Sequence, residues 1–290
     1  MDFIKLTDCY TLSNGVEIPC VGFGTWQSEN GAEAYNAVFH ALSAGYRHID
    51  TATAYGNEES VGSAISDFLK SSGVKRDEIF VTTKLWNRDH GYERTKAAID
   101  ASLKNLKVDY LDLYLVHWPN PLAFRDCWKE TNAESWRAME EAYAAGKIRA
   151  IGLSNFCVRH IEPLLETAQV KPMVNQLKLC PGIAQKELCD YSSSLGMVLE
   201  AYSPLGTGAI FSNDFMRSLA KKYGRSIAQI CIRWSLQNGF LPLPKSVTKD
   251  RIEENAKVFD FELDFDDCEK IACLSDTGIR PNRNPDEAEF

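Results

Sequence analysis

No apolar run in the 290 residues approaches the ~18 residues that a membrane-crossing helix needs, so no membrane span is expected. The opening MDFIKLTDCYTL has acidic residues where an export signal needs a basic region and an apolar stretch. Neither a CxxC pair nor an N-x-[ST] sequon occurs, and the nine cysteines are an odd number, which points to reduced thiols in the cytoplasm. No His/Cys cluster has metal-ligand spacing, and no metal is expected. Basic residues number 32 against 40 acidic ones, a balance of −8 that disfavours a nucleic-acid partner. GxxxxGK[ST] is missing, and GxGxxG does not follow the first apolar run, which removes the two commonest nucleotide fingerprints. What is there is a chain 44% hydrophobic and 25% charged, with no linker or low-complexity tract, so one globular domain over 1–290 is expected.

YTLSNGVEIP reads as a hairpin about Asn14-Gly15, with a type I′ turn. Beyond it, short apolar runs recur at wide intervals: CVGFG (20–24), YRHID (46–50), IFVTTK (79–84), LDLYLVH (111–117), IRAIGLSN (148–155), PMVNQ (172–176), MVLEAYS (197–203) and FLPLPK (240–245). Segments such as 32–45 and 133–146 have apolar residues at helical spacing and end in glycine. About eight strand-helix units in fewer than three hundred residues predict an α/β fold: a (β/α)8 TIM barrel, its bottom closed by the N-terminal hairpin. A doubly wound sheet is the competing solution. The polar tail after Cys273 is expected to lie over the surface.

In such a barrel the C-terminal strand ends converge on one mouth. Asp50, Lys84 and His117 end successive runs there, and Tyr55 follows Asp50 by five residues. A phenol has an ordinary pKa of about 10 and gives up its proton poorly at neutral pH unless its anion is stabilised. Lys84, held charged by Asp50, is expected to lower that value, and His117 to hydrogen-bond the same substrate oxygen. The set suits protonation of a carbonyl oxygen as its carbon accepts a nucleophile. Each residue alone could be a cap or a packing residue; their joint placement carries the reading. Trp26, Trp86 and Trp118 lie just past strand ends, where they would wall an apolar pocket.

These residues resemble the aldo-keto reductases, NADPH-dependent carbonyl reductases on a β/α barrel. GYRHIDTATAYGNEESVG (45–62), TTKLWN (82–87), SLKNLKVDYLDLYLVHWP (102–119), GKIRAIGLSNF (146–156), AYSPLG (201–206) and LPKSVTKDRIEENAKVF (243–259) follow the family's order over nearly the whole chain. The chain resembles the compact, microbial members, such as diketogluconate and related aldehyde reductases. The resemblance implies Tyr55 as general acid, with Asp50, Lys84 and His117 completing a catalytic tetrad. It places Gly24, Thr25, Trp26 and Asp50 beside the cofactor, Ser154, Asn155 and Gln176 on the nicotinamide carboxamide, and Tyr202 stacked on its ring. Ser203, Pro204, Leu205 and Gly206 would close on the pyrophosphate. Lys245, Ser246, Val247, Thr248 and Arg251 would surround the 2′-phosphate, with Glu254 and Asn255 nearer the adenine, which implies NADPH over NADH. Substrate contacts are expected from Trp26, Tyr55, Trp86, His117 and Trp118.

One stretch departs from the family. Many relatives follow the Asn-Gln pair with an acidic residue and His-Pro, whereas LKLCPG puts Lys178 and Cys180 there. The brief tail implies a less enclosed pocket open to several small carbonyls. A monomer is expected. The alternative function is an NADPH-binding redox sensor or regulatory subunit with negligible turnover; a Schiff-base lyase using Lys84 would leave LSNF and KSVTKDR without a purpose.

Overall fold

The computed structural model describes residues 3–290. Its first element is the hairpin, β1 (Cys9–Thr11) paired antiparallel with β2 (Glu17–Pro19). Then come eight parallel strands: β3 (Phe23–Gly24), β4 (His48–Asp50), β5 (Phe80–Leu85), β6 (Leu113–Val116), β7 (Ile151–Ser154), β8 (Val174–Lys178), β9 (Val198–Tyr202) and β10 (Phe240–Leu243). Each falls within or at the edge of an apolar run of the sequence. Every residue of β5, β6, β7 and β10 is buried, the condition of a parallel strand covered by helices outside and side chains within. Helices α1 (Ala32–Ser43), α2 (Glu58–Ser72), α3 (Tyr92–Leu106), α4 (Trp128–Ala144), α5 (Val158–Leu165) and α6 (Lys186–Ser194) alternate with the strands. Two helices, α7 (Asp214–Tyr223) and α8 (Ile227–Gln237), separate β9 from β10, and α9 (Lys249–Asn255) and α10 (Phe265–Ala272) follow. No helix among the described residues is long and apolar enough to cross a membrane.

The strand order runs β10-β9-β8-β7-β6-β5-β4-β3, and the first and last strands meet to close the barrel. The seam is made by backbone bonds from Gly22 N to the Pro242 carbonyl and from Gly24 N to the Pro244 carbonyl, both 3.0 Å. Proline has no N–H to return, so hydrogen bonds at these two positions run one way only, from β3 and its approach to β10. Below the barrel, the Tyr10 hydroxyl donates to the carbonyl of Phe240, the first residue of β10, and Asn14 Nδ2 donates to the Arg149 carbonyl at 2.9 Å. The hairpin therefore covers the N-terminal strand ends, as expected.

Its turn is not type I′. That geometry needs positive φ at both central residues, yet Gly15 has φ 84° while Asn14 is not in the positive region. The chain instead makes a three-residue loop, with Gly15 N on the Leu12 carbonyl at 2.9 Å and Leu12 N on the Val16 carbonyl at 2.8 Å. The Asn14 side chain serves both the loop and the anchor: its Oδ1 accepts from Val16 N at 3.1 Å while its Nδ2 reaches the barrel.

The closing seam leaves no room at Gly22. A Cβ there would stand 2.5 Å from Leu243 Cδ2 and 2.7 Å from His48 Nδ1. Gly22→Ala should cost about 1–3 kcal/mol of stability, the range for overpacking a dense core. A urea melt would read this as a lowered midpoint; an unchanged midpoint would contradict tight packing at the seam.

Candidate active site

Asp50 is the last residue of β4, and the chain then turns through a short 3-10 segment, Thr53–Tyr55, that brings the phenol back over the barrel. Lys84 lies one residue from the end of β5, and His117 directly follows β6. Lys84 Nζ is completely buried and sits 2.8 Å from each carboxylate oxygen of Asp50. It also donates to the Thr51 carbonyl at 2.9 Å and reaches the Tyr55 hydroxyl at 3.3 Å. The His117 and Tyr55 rings meet edge to face, 5.9 Å between centroids. The four expected residues are thus together.

Their electrostatics differ from expectation in one respect. Burial would strip Lys84 of its proton, but the charge and hydrogen bonds of Asp50 together with the other acidic groups around it outweigh that effect, and the ammonium's pKa stands above its ordinary value. Burial also dominates at Tyr55 and pushes the phenol up; Lys84 pulls it down without reversing the shift, so the expected net lowering is not found. Burial and then the Lys84 charge hold His117 well below its usual value, leaving a neutral imidazole whose Nδ1 is buried without a hydrogen-bond partner.

Around this centre lie amide and hydroxyl groups from β7, β8 and β9. Asn155, just past β7, adopts φ 63°, and its Nδ2 donates to the His117 carbonyl at 2.9 Å and to Ser154 Oγ at 3.0 Å. The Tyr202 hydroxyl donates to Asn155 Oδ1 at 2.8 Å. Gln176 Nε2 donates to Asp50 at 2.9 Å and to Glu200 at 2.7 Å, tying the amide to both carboxyl groups. Ser203, also at positive φ, turns the chain into the loop carrying Pro204, Leu205 and Gly206. A Cβ at Gly206 would collide with Ile279 Cδ1, so the glycine here makes way for the chain's own tail. Thr25 Oγ1 donates to the Asp50 carbonyl, and Gly24 abuts the Leu243 backbone.

Farther out, Lys245 Nζ donates to the Gln27 carbonyl at 3.1 Å, and among the described residues neither Lys245 nor Arg251 pairs with a carboxylate. Ser246, Thr248, Arg251 and Glu254 lie at or near the surface with Val247, whereas Asn255, the last residue of α9, is buried. Trp26 is 46% exposed at the mouth.

The tail alters the mouth. It is pinned across the rim by Lys178 Nζ on the Arg280 carbonyl at 2.7 Å, Asn282 on Gln185, and Arg125 on the Ala288 carbonyl. Asp286 accepts from Asn120, from Arg159 and from the buried His160. Asn87 Nδ2 holds the Phe290 carbonyl at 3.0 Å, and the Phe290 ring stacks on Trp86 at 5.8 Å and meets Trp118 edge-on at 5.1 Å. The tail thus does run over the surface, but it narrows the mouth more than its brevity implied. Lys178, the departure in LKLCPG, is one of its anchors; Cys180 is a buried packing residue whose thiol burial pushes up to about 11.

Sequence reasoning passed over Glu200, Asp286 and Phe290. A signal existed for Glu200: it is the one charge in an apolar strand, two residues before Tyr202 and so on the same face. The tail offered only a lone aromatic in a polar segment.

A phenol over a buried ammonium, beside a neutral imidazole, is equipment for delivering a proton to an oxygen, and the barrel places it at the C-terminal ends of its strands. Residues 20–276 match the model of the Aldo/keto reductase family, and the chain belongs to that family of carbonyl-reducing oxidoreductases. It is 50% identical over 287 residues to a glyoxal reductase of Bacillus subtilis (strain 168), covering 99% of each chain. It is 43% identical to methylglyoxal reductase DkgA of Escherichia coli (strain K12), covering 95% of this chain and 96% of the other. A solved aldo-keto reductase of Bombyx mori, in complex with NADP, superposes with a TM-score of 0.84 at 35% identity over 92% of both chains.

If Asp286 clasps the tail, Asp286→Ala should speed hydrogen exchange at the amides of residues 286 and 287 by at least about tenfold, since bonds to a charged acceptor are lost. Exchange unchanged from the parent protein would mean that the tail is held elsewhere.

Proposed function

We propose that this protein reduces small 2-oxoaldehydes and related aldehydes and ketones to alcohols at the expense of NADPH, the chain 1–290 working as one barrel domain and as a monomer in the cytoplasm. The observation that carries the reading is the contact of the buried Lys84 ammonium with the Tyr55 hydroxyl. The names of the relatives favour dicarbonyl substrates and favour turnover over a purely sensory role.

The chain's own groups fit the cofactor. Gln176 spends both amide hydrogens on the carboxyl groups of Asp50 and Glu200, which leaves its Oε1 to accept from a carboxamide, and Ser154 and Asn155 face the same region. Lys245 and Arg251 offer cations without carboxylate partners to a 2′-phosphate. When bound, a reduced nicotinamide supplies the hydride.

Tyr55 serves as the proton donor. As the carbonyl carbon accepts hydride, its oxygen becomes an alkoxide, a far stronger base than a phenolate, so a phenol with a raised pKa still delivers its proton. Lys84 stabilises the phenolate left behind, and Asp50 holds Lys84 charged. The neutral imidazole of His117 can donate one N–H to the same oxygen in the appropriate tautomer, orienting it. Trp26, Trp86, Trp118 and Phe290 supply the apolar walls, which suit a small carbonyl compound.

Tyr55→Phe should cut turnover of glyoxal by roughly a hundredfold or more while NADPH binding is kept, because only the proton donor is removed. NADPH consumption and fluorescence titration measure the two quantities, with NADH run beside them as the expected poorer donor. Full turnover in the variant would remove Tyr55 from the role. NADPH bound tightly by the parent protein, without turnover of any carbonyl, would establish the sensor instead.

A further inference from the structure

A second buried carboxyl lies beneath the proton donor, unused so far. Glu200 is the central residue of β9, fully buried, and in register with Gln176 of β8 on one side and Leu241 of β10 on the other. Its Oε2 accepts from Gln176 Nε2 at 2.7 Å, and the same nitrogen donates to Asp50 Oδ2 at 2.9 Å. A continuous chain therefore runs from Glu200 through Gln176, Asp50 and Lys84 to Tyr55. Glu200 Oε1 has no hydrogen-bond partner and stands 3.7 Å from His48 Nε2.

The charged and titratable groups facing Glu200 decide its state. From β4 come His48 and Asp50, from β5 Lys84, from β8 only the neutral Gln176, and β10 pairs with it through an apolar residue. His48 bonds Thr82 Oγ1 at 2.9 Å, and burial lowers its pKa to about 3, so it carries no charge at neutral pH. One cation, Lys84, thus stands among two acids in a site without water's screening. Asp50 takes that cation with both oxygens. A second anion there would face a desolvation cost and the repulsion of Asp50, which the Gln176 hydrogen bond and the more distant Lys84 charge offset only in part.

We propose that Glu200 is a positioning residue that holds a proton at neutral pH. It fixes Gln176 with Oε1 available to the cofactor amide, and its neutrality preserves the charge balance beneath Lys84 and Tyr55. The proposal rests on the reading of Tyr55 as proton donor. Burial and the neighbouring Asp50 push the Glu200 carboxyl up to about 8, which places its ionisation just above neutrality. A raised value means that the neutral form persists below it and is lost as the pH climbs through it. Ionised, Glu200 adds negative charge to the chain that must support a developing phenolate, and proton delivery slows.

The test begins on the cofactor-free protein. Its infrared spectrum at neutral pH should contain a protonated-carboxyl band that fades as the pH passes about 8 and is missing in Glu200→Gln. Absence of the band from the parent protein overturns the proposal even if no variant folds. With NADPH and glyoxal, kcat/KM of the parent should fall on a basic limb near pH 8, and Glu200→Gln should move that limb up by at least about one pH unit, a tenfold gain above it. Glu200→Leu, which frees the amide of Gln176, should weaken NADPH binding by about tenfold, the loss of one well-placed hydrogen bond. A limb unmoved in Glu200→Gln contradicts the role, since a merely structural residue would lower stability and leave the profile in place. Tyr55→Phe in the same assay separates the two failures: turnover retained there sinks the reading of the donor itself, whereas turnover lost there with the limb unmoved sinks only the role of Glu200.

Discussion

The ion pair between Lys84 and Asp50 organises the whole mouth of the barrel. A lysine with no exposed surface is expensive in an apolar interior, and its attraction to a carboxylate offsets that expense only with good geometry and further hydrogen bonds. Here both oxygens of Asp50 and the Thr51 carbonyl take the ammonium, and Tyr55 lies against it. The anion is held in turn by Gln176, whose other amide hydrogen goes to Glu200. Four strands and one turn are thereby committed to a single charge. Such a pair is weak evidence of stabilisation; its value lies in delivering an ammonium to a phenol where water does not compete.

The same economy governs the rim. Asn155 links Ser154, His117 and Tyr202, so the groups that could meet a carboxamide are already tied to the residues that could meet a carbonyl. The tail completes the enclosure from outside, with Asp286 as its clasp and the Phe290 ring on two tryptophans. A barrel with a polar, charge-balanced interior end and an aromatic lip is suited to a substrate that is small and polar at one end.

Much of this was legible in the chain. Asp50, Lys84 and His117 stand out because a polar residue at the end of an apolar run has few places to go in a barrel. Glu200 emits the same signal and was passed over because its strand continues to Tyr202, so it looked like an interior residue rather than a strand end. The direction of the Tyr55 shift could not be read, since neighbour identity follows from spacing while depth of burial depends on how loops close. The tail was illegible for another reason: its anchors, Lys178, Arg159, His160 and Asn87, lie from about 100 to 200 residues away in sequence, and no local pattern announces them. The hairpin turn departs from the Asn-Gly rule: Asn14 stays out of the positive-φ region, with its Oδ1 bonded to Val16 N in the loop and its Nδ2 to the Arg149 carbonyl on the barrel, a long-range partner that local spacing does not announce.

The central claim is that the buried pair serves chemistry rather than stability, and the variant pair Lys84→Met and Asp50→Asn tests it directly. Lys84→Met alone leaves an uncompensated buried carboxylate and should cost about 3–5 kcal/mol; adding Asp50→Asn should recover most of that. Turnover of the double variant with NADPH and glyoxal should nonetheless stay at least about a hundredfold below the parent, because the phenol has lost its ammonium. A stable double variant that turns over within about tenfold of the parent would contradict the account.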